Sequence, residues 1–311
     1  MKTPKIKNRI LLTSAMLALM ASSYSINAVA AKTMHMSHPV GTKPESVIKA
    51  FDKNLFVSVM GGNIAGDGTI VKIIKDHKTE TFATGLNQPK GMAFINNTLY
   101  VTDVDKIWEI NEKGEKKIFI NKGEFPSPAL YLNDLDANPQ TDELYVTDMG
   151  AVSFMRDEDG KLWPLESAES LKIPNKGRIY AISRSTKAIR IVMDFNSDIR
   201  NPNGVTVNQD KGTLITGFFS GKVINIKNNQ TTFLPGTFRG ADQARYDSAG
   251  NVYISSWSQG KVWKLDKVTL QQHVLFEGLQ SAADFILDEK ANVLIIPDML
   301  DGSLHYIPMS R

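Results

Sequence analysis

The chain has 311 residues, 42% of them hydrophobic, with a formal charge of +3 and no cysteine. A chain without cysteine has no disulfide, no cysteine nucleophile and no lipoprotein anchor, so its stability must come from burial. Four of the basic residues, Lys2, Lys5, Lys7 and Arg9, sit at the very start, so the basic balance says nothing about nucleic acid or membrane partners.

That start reads as a secretory signal. The basic stretch precedes an apolar run at 10–21 that is too short to span a bilayer, and small residues at 28–30 suit cleavage before Ala31. Removal of 1–30 takes four positive charges and no negative ones, leaving a mature balance of −1. The expectation is an exported, periplasmic or secreted protein with no stable membrane anchor, and one domain over 31–311.

One short pattern then recurs six times: GTIVKI at 68–73, DKIWEI at 105–110, GRIYAI at 177–182, GKVINI at 221–226, GKVWKL at 260–265 and GSLHYI at 302–307. Each is a turn followed by alternating apolar positions, which predicts a half-buried strand. An apolar run precedes every copy, twice as the same phrase LYVTD, at 99–103 and 144–148. A third run follows every copy but the last. A further short segment opens each unit at a fixed distance of 9–11 residues from the second run. Four antiparallel strands in about 40 residues make one propeller blade, so the predicted fold is an all-β six-bladed propeller. The last blade lacks a fourth strand. The segment around 34–41 is the expected partner that closes the ring.

The innermost strand of a blade lines the central channel, so its first residues stand at one mouth. Those positions are Glu45, Lys90, Asn133, Asn203, Asp242 and Ala283. Glu45, Asn133, Asn203 and Asp242 offer oxygen, which suits a hard divalent cation such as Ca, Mg or Mn, with Zn not excluded. The plainer reading is that the acids bind water and that Asn203-Gly204 is a turn. Lys90 either neutralises Glu45 or Asp242 in place of a metal, or sits beside the ion and steadies an anionic intermediate.

The long connection at 149–176 falls on the face of the site, where Phe154 and Trp163 are candidates to touch an apolar part of a ligand and Arg156 a carboxylate. The alternative is a surface excursion packed on its own blade. The Gly-rich 61–68 lies on the same face and reads as a flexible loop. Asp103, Asp148 and Asp298 end second strands and are expected to cap turns. His35 and His38, with Met34 and Met36, form a weak copper motif competing with the closing-strand reading. His305 is expected to be packed, and His77 and His273 to lie at the surface. Asp284 follows Ala283 and is a candidate to reach the mouth.

Four segments carry a resemblance: PESV at 44–47, NDLDANP at 133–139, PNGVTV at 202–207 and ADQARYD at 241–247. They resemble the metal-site segments of the senescence marker protein/gluconolactonase/luciferin-regenerating-enzyme-like (regucalcin-like) family. The resemblance implies a six-bladed propeller and a metal-dependent lactonase. It puts the metal ligands on Glu45, Asn133, Asn203 and Asp242, and the general base on Asp242. Lys90 would be a second catalytic group, and Tyr131, Asn133 and Asp284 would contact the substrate. Lys90 stands where the family residue is typically small and neutral. Tyr131 stands where some members carry a sugar-binding arginine, which argues against a sugar-acid lactone. QPKGMAF at 88–94 also resembles NHL-type propellers, many of them binding scaffolds, and strictosidine synthase-like proteins share the architecture. The expected function is therefore an exported hydrolase of a lactone or related small ester. The alternative is a non-catalytic propeller that binds a small molecule, glycan or protein at the channel mouth.

Overall fold

The computed structural model describes Met1 and residues 35–62, 64–150, 154–159 and 161–309; apart from Met1, the expected signal segment lies outside the described residues, as does Met34. Among the described residues no helix is long and apolar enough to cross a membrane.

Six four-stranded antiparallel sheets follow one another along the chain, and within the first five the strands pair in sequence order. Their innermost strands are Pro44–Ala50, Pro89–Ile95, Leu132–Asn138, Pro202–Asn208 and Ala241–Tyr246, with Ile286–Asp288 in blade six. The sixth sheet is completed by Met36–Pro39, which pairs with Ser303–Pro308 in the register Met36 to Tyr306 and His38 to Leu304. The ring is closed by the N-terminal segment, as the missing fourth strand predicts. The pairing removes the unpaired edge that a final three-stranded blade would expose.

Hydrophobicity decides where each strand sits. The LYVTD runs are second strands, covered on both faces by neighbouring blades, and residues 99–103 are all buried. Outer strands meet solvent, as Gln230–Phe233 does along its whole length, with Gln230, Thr231 and Thr232 polar. The core is a series of layers between blades. Phe119 and Ile107 of blade two, for example, join Leu135, Val146 and Tyr180 of blade three in one cluster. Sheet-on-sheet packing of this kind leaves the centre of the ring to the first residues of each innermost strand.

Among the described residues, the two histidines of the copper motif do not converge. His35 and His38 point to different neighbours across the closing strand: His35 Nε2 lies 2.8 Å from His305 Nδ1, while His38 stacks on His77 at 4.0 Å. His77 is therefore half-buried rather than a plain surface residue.

Candidate metal and active site

Glu45, Lys90, Asn133, Asn203 and Asp242 are each the second residue of an innermost strand. In all five blades the register with the second strand slips at that place, between Pro44 and Ser46, Pro89 and Met92, Leu132 and Leu135, Pro202 and Val205, and Ala241 and Ala244. A bulge re-aims a side chain that regular pleating would direct along the sheet face. The five side chains line one cavity of about 80 Å³. Residues up to 197 positions apart in sequence meet there because the ring repeats the same strand start.

The threonine of the repeated second strand holds the main chain of the next mouth residue. Thr102 Oγ1 donates to the carbonyl of Asn133, Thr147 Oγ1 to that of Asn203 at 2.5 Å, and Thr216 Oγ1 to that of Asp242 at 2.6 Å. The aspartate that closes the phrase does a different task. Asp103 accepts the backbone N–H groups of Asn87 and Gln88, Asp148 those of Leu130 and Tyr131, and Asp298 those of Gln280 and Ser281. Each carboxylate pins the turn that feeds an innermost strand, the capping role expected of it. Asn203-Gly204 is not a turn but lies inside the strand. A Cβ at Gly204 would sit 2.3 Å from the carbonyl oxygen of Asp242, and one at Gly91 would sit 2.4 Å from Cα of Asp134. Glycine follows Lys90 and Asn203 because the neighbouring innermost strand passes so close.

The donor set fits a hard cation. Glu45 Oε2 and Asn203 Oδ1 are buried with no hydrogen-bond partner. Orphaned buried oxygens are costly unless something electropositive meets them. Asn203 donates through Nδ2 to Asp242 Oδ2 at 3.2 Å, and Asn133 through Nδ2 to the sulfur of Met149 at 2.9 Å, so both amides keep their oxygens for another partner. Burial pushes the Glu45 carboxyl well above its usual range, and the negative charges of Asp242 and Asp284 push it further. Burial, then the charge of Asp284, does the same to Asp242, against the hydrogen bond from Asn203. A divalent ion is the group that would make two ionised acids tolerable in this space.

Lys90 does not neutralise the acids by contact. Its side chain is buried, Nζ donates to the carbonyl of Gln88 at 3.0 Å and stands 4.0 Å over the ring of Tyr131, and it forms no ion pair with Glu45 or Asp242. Tyr131 lines the cavity with its hydroxyl bonded to Gln88 Oε1 at 3.1 Å. Ala283 and Asp284 do not line it. The polypeptide there is not part of the innermost strand, which begins only at Ile286. Asp284 instead accepts from Ser46 Oγ at 2.5 Å and from Arg245 Nη2 at 3.2 Å within the channel wall. The sequence reading missed this layer. Arg245, half-buried, faces Asp284, Asp134 and Asp136, and Asp134 Oδ2 accepts from Val205 N and Gln243 Nε2 at 2.8 and 2.6 Å. The alternation of Asp134, Asp136 and Arg245 along their strands is the signal that was available.

The connection at 149–176 reaches the site through a small hairpin in which Arg156 bridges Leu162 and Trp163 N donates to Met155 O at 2.9 Å. Among its described residues, Met149, Met155, Arg156 and Leu162 line the cavity, the last three from the hairpin. Phe154 is exposed to solvent, and Trp163, half-buried, is not in the lining. A second group of possible metal donors, Asp298, Asp301 and His305, lies in the last blade, but Asp298 already caps the turn at 280–281.

No protein-family model matches the sequence, and no curated protein matches it. Solved structures do match in shape. A gluconolactonase from Xanthomonas campestris, described as important in glucose secondary metabolic pathways, superposes with a TM-score of 0.64 at 14% identity, over 87% of each chain. A structural-genomics target with a provisional gluconolactonase name gives a TM-score of 0.66 at 13% identity, over 89% of this chain and 92% of that one. A chain from a nidogen/laminin complex gives 0.59 at 14% identity, over 76% and 81%. At such identities the likeness shows the fold alone: this chain is a six-bladed β-propeller.

Proposed function

We infer that the chain is a hydrolase of a lactone or related small ester that works with a divalent cation. One observation carries the reading: four oxygen-bearing side chains from four blades line a single cavity, and two of their oxygens are buried without a partner. Glu45, Asn133, Asn203 and Asp242 would hold the ion. An ion there supplies Lewis acidity toward an ester carbonyl. Asp242 takes the role of general base. Its Oδ2 accepts from the Asn203 amide, which fixes the carboxylate in the cavity wall. Lys90, held between the Gln88 carbonyl and the Tyr131 ring, places a positive charge on the same cavity, where an oxyanion would gain from it. The gluconolactonases of like shape agree with this chemistry. The basic and apolar start of the chain supports export, with a small molecule as the partner.

Metal analysis and a lactone screen test the reading together. The purified protein should carry or take up about one divalent ion, and Asp242→Ala should lose both the ion and hydrolysis. A wild-type protein that binds no Ca²⁺, Mn²⁺, Mg²⁺ or Zn²⁺ and hydrolyses no lactone would leave the binding-propeller alternative in its place.

A further inference from the structure

The rest of the cavity lining says which lactone. Apart from the quartet, Lys90, Tyr131 and Arg156, the walls are Met60, Met149, Met299, Phe218 and Trp257, with Met155 and Leu162 from the hairpin. Four methionines in one small lining give a polarizable surface that moulds to alkyl chains. Three of the polar groups beside them are already committed. The Trp257 indole N–H points to Met299 sulfur at 2.9 Å, the Asn133 amide to Met149 sulfur at 2.9 Å and the Tyr131 hydroxyl to Gln88 at 3.1 Å. A polyhydroxylated ring entering here would bury hydroxyls against thioethers and an indole face, losing water with little in return.

Resting on the hydrolase reading above, we propose that the substrate carries an apolar substituent, an alkyl-substituted lactone or ester rather than a sugar lactone, and that Met155, Leu162 and Trp257 select it. Hairpin and wall come from different blades. Met155 and Leu162 belong to the connection of blade three, Trp257 to blade five, and all pack in one cluster with Phe218 and Met149. The reaction adds one water across the acyl C–O bond. The hydroxyl goes to the acyl carbon and a proton to the leaving ring oxygen, giving a hydroxy acid with no change in oxidation state.

Three lactones sharing one six-membered ring separate the possibilities: glucono-δ-lactone, δ-valerolactone and δ-decalactone. With the full chain and added divalent ion, kcat/KM for δ-decalactone should exceed that for δ-valerolactone by about tenfold or more. Glucono-δ-lactone should fall below both. Met155→Gln, similar in length but polar, should lower the long-to-short ratio about fivefold. A binding arm keeps the inference separable from catalysis. Calorimetry on Asp242→Asn protein, or on chelated wild type if that variant does not fold, should show δ-decalactone binding at least tenfold more tightly than glucono-δ-lactone. Hydrolysis that favours glucono-δ-lactone overturns the substrate class and leaves the hydrolase standing. Tight δ-decalactone binding without hydrolysis of any lactone supports the apolar selectivity and overturns the hydrolase. No binding of δ-decalactone overturns the inference outright.

Discussion

Asn203 donates its side-chain amide to Asp242 across 3.2 Å and leaves its own oxygen buried without a partner. One side chain thus fixes the proposed base and offers an oxygen to the proposed ion. Asn203→Ala removes both, so Ca²⁺ or Mn²⁺ affinity should fall about 10–100-fold. Titration calorimetry of the two proteins checks it; affinities within a factor of two would remove Asn203 from the site.

An ion bound only by the native ring stabilises it by mass action. At a hundredfold excess over Kd the gain is about 2.7 kcal/mol. Adding a chelator should therefore lower the melting temperature of wild type by several degrees and leave that of Asp242→Ala unmoved.

Below the mouth, Arg245 is the cation that faces Asp284, Asp134 and Asp136. Arg245→Met would strand those carboxylates in the channel, at a cost of about 3–5 kcal/mol in denaturant unfolding. The same measurement on Asp134→Ala, which leaves Val205 N and Gln243 Nε2 without an acceptor, should show a loss of about 3 kcal/mol. Losses under 1 kcal/mol in both would mean the layer is wetter than its burial implies.

Thr147→Val keeps the shape of the second strand and deletes the hydroxyl that binds the Asn203 carbonyl and accepts from Asp134 N. Stability should fall by about 1–3 kcal/mol. Ion affinity should fall with it, since the Asn203 main chain is no longer held. A stable Thr147→Val protein with unchanged affinity would show that the bulge alone aims Asn203.

The closing strand should make stability pH-dependent. Burial lowers the affinity of His35, His38 and His305 for protons below the ordinary value of 6.5, with His77 adding to the effect at His38 and His35 at His305, where Asp298 and Asp301 oppose it. Below that value the unfolded chain binds more protons than the native one, so these groups stabilise above about pH 6.5 and that contribution is lost as pH falls. The buried Glu45, Asp134 and Asp242, whose affinities are raised, work in the opposite sense. The readout is therefore a difference. Between about pH 7 and pH 5, the melting temperature of His38→Phe, which keeps the stack on His77, should fall less than that of wild type. Equal slopes would clear His38 of any part in the titration.

The sequence by itself determined the blade count, the ring closure and the mouth residues, because each depends on order along the chain. A repeated alternation, a missing last strand and a fixed spacing are all one-dimensional patterns. It placed Glu45, Lys90, Asn133, Asn203 and Asp242 together since each opens an innermost strand. Ala283 and Asp284 escaped that logic because the last innermost strand starts late, which spacing alone does not reveal. What only the tertiary structure decided is what meets across blades. Lys90 facing Tyr131 instead of an acid, Thr147 reaching the carbonyl of Asn203, Arg245 among three aspartates, and Met155 rather than Phe154 turning inward are contacts between segments with no fixed offset. Their geometry follows from how the blades pack against one another around the ring, which local sequence does not encode.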